Sequence, residues 1–292
     1  MAKAAQQPRT RSGANRLPEP TTDLDQVKRD FDEFGYGLIK DCLSVGQVAR
    51  IRQRMLAQAE AERGLYKLGD APNAQGVRIL PNKGKIFRDL ILQPQVTEMM
   101  AYGFRGLEMC LSTLTGIITR DGTAPQLIHC DQSFLPGAVE KAWVNNTLYM
   151  ITEFTEENGG TRVVPGSHRS PPPKVKQNAD GTFAGYEGES IAIEGPPGTA
   201  FVFDGRLWHG QGACKVAGPR IAISAFYVTP VLRQAENFTA SLHDEVYDRL
   251  SVAEREMLGF KRASTLNYME PLHAGGRGNT DTPMPYTPEL HS

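Results

Sequence analysis

Leu24, Val27, Phe31 and Phe34 recur at helical spacing and Gly35 follows, so the apolar pattern predicts a helix over 24–34 closed by a glycine. GYGLIKDCL (35–43) then reads as a strand. Ser44 and Gln47 form a capping-box pair that opens a second helix running to about Glu62. Pro94 opens a third helical stretch over 94–110. Beyond it the pattern changes to short apolar, β-prone runs: PQLIH (125–129), WVNNTLYMITEF (143–154), GTAFVFD (198–204) and PRIAISAFYV (219–228). The last of these alternates like a half-buried strand. Helices return over 234–258, where Ser251 and Glu254 repeat the capping-box spacing. The stretch 64–91 gives mixed signals and carries several basic residues, and 155–168 is rich in turn formers. Residues 170–189 are polar and rich in Pro and Gly, and they read as a mobile insertion suited to a lid. The last 30 residues look irregular, and the chain has no internal repeat. Together these elements predict one mainly β domain with flanking helices over 23–292, preceded by a disordered tail over 1–22.

Candidate chemistry sits on the β-prone runs. His129-Cys130-Asp131 lies at the end of one, His209 follows another, and Arg220 comes eleven residues after His209 at the start of a third. In an extended chain residues i and i+2 project to the same side. His129 and Asp131 can therefore both aim inward while Cys130 points away. Two imidazoles and one carboxylate on one face of an octahedral metal form the facial triad of non-heme Fe(II) oxygenases, with the opposite face open. A glycine-rich turn separates His209 from Arg220, so the two can sit on neighbouring strands of one barrel. A planar guanidinium binds both oxygens of a buried carboxylate. The set therefore suggests a dicarboxylate cosubstrate chelating the iron.

LIHCDQ (127–132), ITEFTEENGGTRVVPGSHR (151–169), LWHGQG (207–212) and GPRIAISAFYV (218–228) carry a family resemblance over roughly residues 24–260. The chain resembles the phytanoyl-CoA dioxygenase family of Fe(II)/2-oxoglutarate enzymes. It is most similar to the natural-product tailoring branch, which includes the fumitremorgin endoperoxidase and the meroterpenoid dioxygenases. The resemblance implies a double-stranded β-helix (jelly-roll, cupin-like) core, with iron on His129, Asp131 and His209. It implies that Arg220 pairs with the distal carboxylate of 2-oxoglutarate, and that Gln126 and Thr161 contact the same cosubstrate. It also implies consumption of dioxygen, release of succinate and carbon dioxide, and oxidation of an unactivated C–H bond. In this fold 64–91 can cover the pocket mouth. Members of the branch are often dimers, so a homodimer is expected.

Other residues have competing readings. Gln126 can equally bond backbone at a strand end, and Thr161 can be a plain strand threonine. His168 falls in a structural turn of the family pattern, where its ring bonds backbone, while His243, His273 and His291 lie in polar context and face solvent. Trp208 either lines the pocket or packs in the core. Phe134, Tyr149, Trp208 and Tyr227 are the aromatics expected to line a pocket for a hydrophobic small molecule. Lys83, Lys85 and Arg88 are the nearest candidates for the phosphates of a CoA thioester, and a solvated loop explains them equally well.

At 292 residues the chain is long enough for one domain with a sizeable core. A formal net charge of −1 argues against a nucleic-acid footprint. Cys42, Cys110, Cys130 and Cys214 are scattered, which reads as reduced thiols in a cytoplasmic protein. No apolar run reaches the ~18 residues of a membrane span, so no membrane partner is expected. The opening MAKAAQQPRTRSGANRLPEP lacks the apolar stretch of a secretory signal. Its arginines and scarcity of acids leave an organelle-targeting reading open beside the disordered tail.

The carboxylate at 131 points to oxygenation, because related halogenases have a small residue there that leaves room for chloride. Hydroxylation is the leading outcome, with desaturation, epoxidation, rearrangement and endoperoxide formation as alternatives. A metal-binding jelly-roll protein without turnover is the rival class, and a scaffold that keeps only the fold is a third.

Overall fold

Local signals place the first elements. The Asp23 carboxylate accepts from the backbone N–H groups of Asp25 and Gln26 and starts α1 (Leu24–Phe34), which ends at Gly35 with a left-handed φ of 84°. The chain leaves as β1 (Tyr36–Ile39), which is shorter than the strand read over 35–43. Ser44 and Gln47 make both bonds of a capping box at α2 (Val45–Ala61). The computed structural model describes residues 16–63, 65, 73–135 and 140–260. Thr21, read as part of a disordered tail, lies along β1: its N–H donates to the Leu38 carbonyl at 3.1 Å, and its carbonyl accepts from Lys40 N–H at 2.9 Å. The described part of 64–91 holds β2 (Ala74–Val77) and the short α3 (Lys85–Arg88).

The helix predicted over 94–110 is shorter than expected. α4 (Pro94–Gly103) stops where Arg105 and Gly106 take positive φ values of 53° and 83° and turn the chain. Cys110 instead opens a ten-residue strand, β3 (Cys110–Thr119). The remaining strands are β4 (Val144–Met150), β5 (Thr161–Val163), β6 (Lys176–Gln177), β7 (Phe183–Ala184), β8 (Ile191–Ala192), β9 (Ala200–Asp204), β10 (His209–Gln211) and β11 (Arg220–Val228). α5 (Phe238–Ser241), α6 (Asp244–Tyr247) and α7 (Val252–Arg255) follow, the last with the predicted Ser251–Glu254 capping box.

Two antiparallel sheets face each other. The larger has the order β1-β9-β4-β11-β3-β2 and the smaller β10-β5-β8. The hairpin β6–β7 stands apart, within the segment read as an insertion. This is the double-stranded β-helix expected from the resemblance. Strand alternation divides the core. Ile221, Ile223, Ala225 and Tyr227 face outward and pack under α1, α2 and α4, together with Val27, Ile51 and Met99. Ala222, Leu148, Met150, Phe201 and Phe203 face inward and meet Val163 from the smaller sheet. Tyr149 and Tyr227 belong to the outer layer and are fully buried, so they do not line the interior as the sequence reading had them. The register puts them one residue out of phase with the inward positions. Among the described residues no helix is long and apolar enough to cross a membrane.

The smaller sheet depends on close backbone approach. A Cβ on Gly160 would lie 2.7 Å from the Thr155 carbonyl oxygen and 2.9 Å from that of Ile193, and one on Gly212 would lie 2.6 Å from the Gly160 oxygen. Gly160→Ala therefore forces backbone apart where the start of β5 meets the Thr155 turn and the chain leaving β8. The expected cost is about 1–3 kcal/mol, in the range of overpacking a tight site. Urea denaturation of the two proteins measures it, and an unchanged midpoint would contradict this packing.

Candidate metal centre

The predicted strand over 125–129 is extended chain rather than a regular strand. It lies beside β10, and a single bridge joins His129 to His209. Within that bridge each residue's N–H donates to the other's carbonyl at 2.8 Å. Gln126 N–H donates to the Gln211 carbonyl at 2.9 Å and keeps the two segments aligned. Cys130 points away, as expected, and packs with Ile128, Val164 and Trp208. Its thiol donates to the Gly205 carbonyl at 3.3 Å. Trp208 is buried in that cluster with its ring 5.2 Å from the ring of Tyr186, so the core reading of Trp208 holds.

This stitching brings one ligand atom each from His129, Asp131 and His209 within 4.8 Å of one another. Asp131 Oδ1 lies 3.5 Å from His129 Nε2, and its Oδ2 lies 3.4 Å from His209 Nε2. Each imidazole is oriented from behind. His129 Nδ1–H donates to the Leu127 carbonyl and His209 Nδ1–H to the Leu207 carbonyl, both at 2.9 Å. With Nδ1 committed to a carbonyl, the tautomer leaves Nε2 free to bind a cation. The Phe203 ring packs edge-on against His209 at 4.8 Å and limits its rotation.

Burial alone would raise the Asp131 pKa. The charge of His209 and the hydrogen bond from His129 outweigh burial and hold the carboxyl well below the usual range. For His129 burial pulls the other way, but the hydrogen bond to Asp131 and its charge prevail and the pKa rises. These three donors, one of them anionic, suit a divalent ion such as iron.

Arg220 starts β11 in the larger sheet, while His209 starts β10 in the smaller one. They are therefore on facing sheets, not on neighbouring strands, because the glycine-rich turn carries the chain across the end of the barrel. Arg220 is 3% exposed, and burial pulls its pKa down to about 10. Its guanidinium donates to Thr119 Oγ1 at 2.7 Å and to Gln211 Oε1 at 3.0 Å, and stacks over Phe154 at 4.6 Å. Among the described residues no carboxylate pairs with it. Its Nε and the nearby Gln211 Nε2 are buried without a partner. A buried cation with unpaired donors fits an anionic ligand such as a carboxylate of 2-oxoglutarate.

Gln126 and Thr161 converge on the same cluster. Gln126 Oε1 accepts from the Gln211 backbone N–H at 3.1 Å, the strand-end bond of its structural reading, and Thr161 is the β5 partner of Gln211. Gln211 and Thr119 are the members that sequence reasoning missed. Gln211 stands two residues from His209, so strand alternation already put it on the metal-facing side. Thr119 lies on the strand that the sequence reading did not anticipate.

The remaining candidates fall elsewhere. His168 is buried, its pKa pushed down to about 4 by burial. Its ring bonds the Asp32 backbone, as expected, while its Nδ1 has no hydrogen-bond partner. That nitrogen is pressed against Gly35, where an added Cβ would lie 2.5 Å away. Phe134 is 62% exposed. His243 is exposed, as expected. His273 and His291 lie outside the described residues. Lys83 pairs with Glu62, Lys85 with Asp89, and Arg88 donates to the Pro81 carbonyl, which supports the structural reading of all three over a phosphate site. A cleft of about 710 Å³, lined by Glu108, Arg233, Gln234 and Met257, contains none of the metal residues.

A jelly roll with a His-x-Asp and distal His set is the architecture of the non-heme iron oxygenases. The family described as "Phytanoyl-CoA dioxygenase (PhyH)" matches residues 31–222, and the chain belongs to that family. It is a 2-oxoglutarate-dependent non-heme iron dioxygenase that uses dioxygen. "Dioxygenase af480" of Aspergillus fumigatus is 28% identical over 253 residues, covering 77% of this chain and 79% of the relative. "Multifunctional dioxygenase prhA" of Penicillium brasilianum is 28% identical, covering 89% of this chain and 91% of the relative. Among solved structures, HygX from Streptomyces hygroscopicus, with nickel and 2-oxoglutarate bound, shares the fold at a TM-score of 0.58 and 16% identity, covering 75% of this chain and 92% of that one. The epimerase SnoN, in complex with Fe3+, alpha ketoglutarate and nogalamycin RO, shares it at 0.56 and 20%, covering 76% and 90%.

The electrostatics set the pH dependence of metal uptake. A metal needs a neutral His129, and the raised pKa keeps that imidazole protonated to higher pH. Affinity therefore falls as pH drops through the raised value, by roughly tenfold per unit once below it. Mn(II) titrations between about pH 5.5 and 8 check this, and a flat profile would contradict it.

Proposed function

We propose that His129, Asp131 and His209 hold Fe(II) and that Arg220 anchors the distal carboxylate of 2-oxoglutarate. Gln126, Thr161, Thr119 and Gln211 complete the cosubstrate cradle. The enzyme oxidises an unactivated C–H bond of a hydrophobic small molecule, most simply by hydroxylation, in secondary-metabolite biosynthesis. The observation that carries this reading is the buried Arg220, with no carboxylate partner among the described residues and with its Nε unpartnered. Such a cation is costly in a dry site unless a ligand pairs with it.

The bound iron, with 2-oxoglutarate and dioxygen, supplies the oxidising power, and succinate and carbon dioxide leave. The chain's own groups do the positioning. The Leu127 and Leu207 carbonyls hold the two imidazoles with Nε2 forward. Thr119 and Gln211 hold the guanidinium across from them. Ile117 and Phe226, on the inward face of the larger sheet, are only partly covered and suit an apolar substrate. A natural-product role is supported by SnoN and SnoK, which come from nogalamycin biosynthesis. The "multifunctional" dioxygenases among the relatives keep desaturation, epoxidation, rearrangement and endoperoxide formation as alternatives to hydroxylation.

Arg220→Ala tests the reading. Removing one partner of a buried charge pair costs the other dearly. The variant is expected to bind 2-oxoglutarate about a hundredfold more weakly, with Mn(II) affinity unchanged. Succinate release falls with it under low cosubstrate. Equal 2-oxoglutarate affinity in the two proteins would overturn the assignment.

A further inference from the structure

Asp131 has a neighbour that the triad itself does not require. Asn146 lies on β4 in the larger sheet, across the barrel interior from His129. The register pairs it with Phe203 of β9 on one side and Phe226 of β11 on the other. Phe203 is the ring packed against His209, so Asn146 sits in the row of side chains next to the metal residues. Its Nδ2 donates to Asp131 Oδ2 at 2.7 Å.

The orientation of this amide is dictated by chemistry. An ionised carboxylate only accepts, so the nitrogen must face Asp131. That leaves Asn146 Oδ1 pointing away, and it is buried with no partner. An amide kept for internal bonding would satisfy both ends. Here one end is left unmet while the other makes a short charge-assisted bond. The contact with Asp131 is thus what the side chain is positioned to make.

The two oxygens of Asp131 are nearly equivalent toward the imidazoles, at 3.5 Å from His129 Nε2 and 3.4 Å from His209 Nε2. Left to itself, the carboxylate can turn either oxygen, or both, toward a cation between those nitrogens. We propose that Asn146 is a positioning residue that holds Asp131 Oδ2 aside so that the carboxylate binds metal through Oδ1 alone. One-oxygen binding would leave three positions open on an octahedral ion held by His129, Asp131 and His209, enough for a chelating dicarboxylate and dioxygen. Chelation by both oxygens of Asp131 would remove that third position. The inference rests on the metal-triad reading above and deepens it.

Two near-isosteric variants test it. Asn146→Leu keeps the volume and removes the donor, whereas Asn146→Asp keeps the shape and opposes Asp131 with a second acidic side chain. Mn(II) affinity of each metal-free protein is measured beside wild type and His209→Ala, with the melting temperature of the metal-free form as a folding control. Succinate release at saturating 2-oxoglutarate is read beside it. Neither variant can donate to Oδ2 as the amide does, so both are expected to hold Mn(II) no more weakly than wild type, while succinate release falls about 10- to 100-fold, the usual effect of removing an outer-shell partner. A residue that only packed would tolerate Leu and leave succinate release unmoved, which would overturn the proposal. If wild type and His209→Ala bind Mn(II) equally, the triad reading falls and this inference with it. A crystal structure of the Mn(II)-loaded wild type is independent of any variant's folding. Asp131 bound through one oxygen, with the other on Asn146, supports the proposal; Asp131 bound through both overturns it.

Discussion

The reciprocal backbone bridge between His129 and His209 is the contact on which the centre depends. Its two hydrogen bonds, each 2.8 Å, join an irregular segment to the first residue of a three-residue strand. Neither segment is long enough to hold a side chain in place by itself. Together they set two imidazoles with ring centroids 4.5 Å apart. Asp131 then follows His129 by two residues and arrives on the same side. The glycines of the smaller sheet serve the same end, because β5 and β10 approach too closely for a Cβ. Packing, strand pairing and ligand placement are thus one structural problem.

The other half of the site is a charge held without a counter-ion among the described residues. Arg220 is anchored by neutral acceptors, Thr119 and Gln211, and by the face of Phe154. Neutral partners orient a guanidinium without neutralising it. On the proposed reading this arrangement leaves the charge available to a carboxylate ligand. It also links the two sheets, since Gln211 belongs to the smaller and Thr119 and Arg220 to the larger. The candidate metal ligands and the arginine are thereby fixed relative to each other through Gln211, which lies on the strand that His209 opens.

Much of this was legible in the sequence, for a physical reason. His129 and Asp131 announce themselves because their spacing of two matches extended chain, and α1 and α2 because their caps are local. What stayed hidden depends on register and long-range pairing. CLSTLTGIIT (110–119) mixes small and polar residues with apolar ones, so its local pattern predicts no strand, and only Cys110 falls within the predicted helix; Thr119 stays hidden with the strand. Tyr149 and Tyr227 were read as pocket residues because their strands were recognised, but the face that each strand buries follows from pairing that no local pattern reveals. Asn146 lay in a recognised strand, and its contact with Asp131 spans a loop of the chain. Gln211 was within reach of the alternation argument already applied to Asp131.

The measurement that tests the central claim most directly is an anaerobic titration of metal-free protein with Fe(II) and then 2-oxoglutarate, followed in the visible. The account predicts a charge-transfer band of the iron-bound cosubstrate that requires His209 and weakens when Arg220 is replaced. A folded, iron-loaded protein that shows no band at saturating 2-oxoglutarate would contradict it.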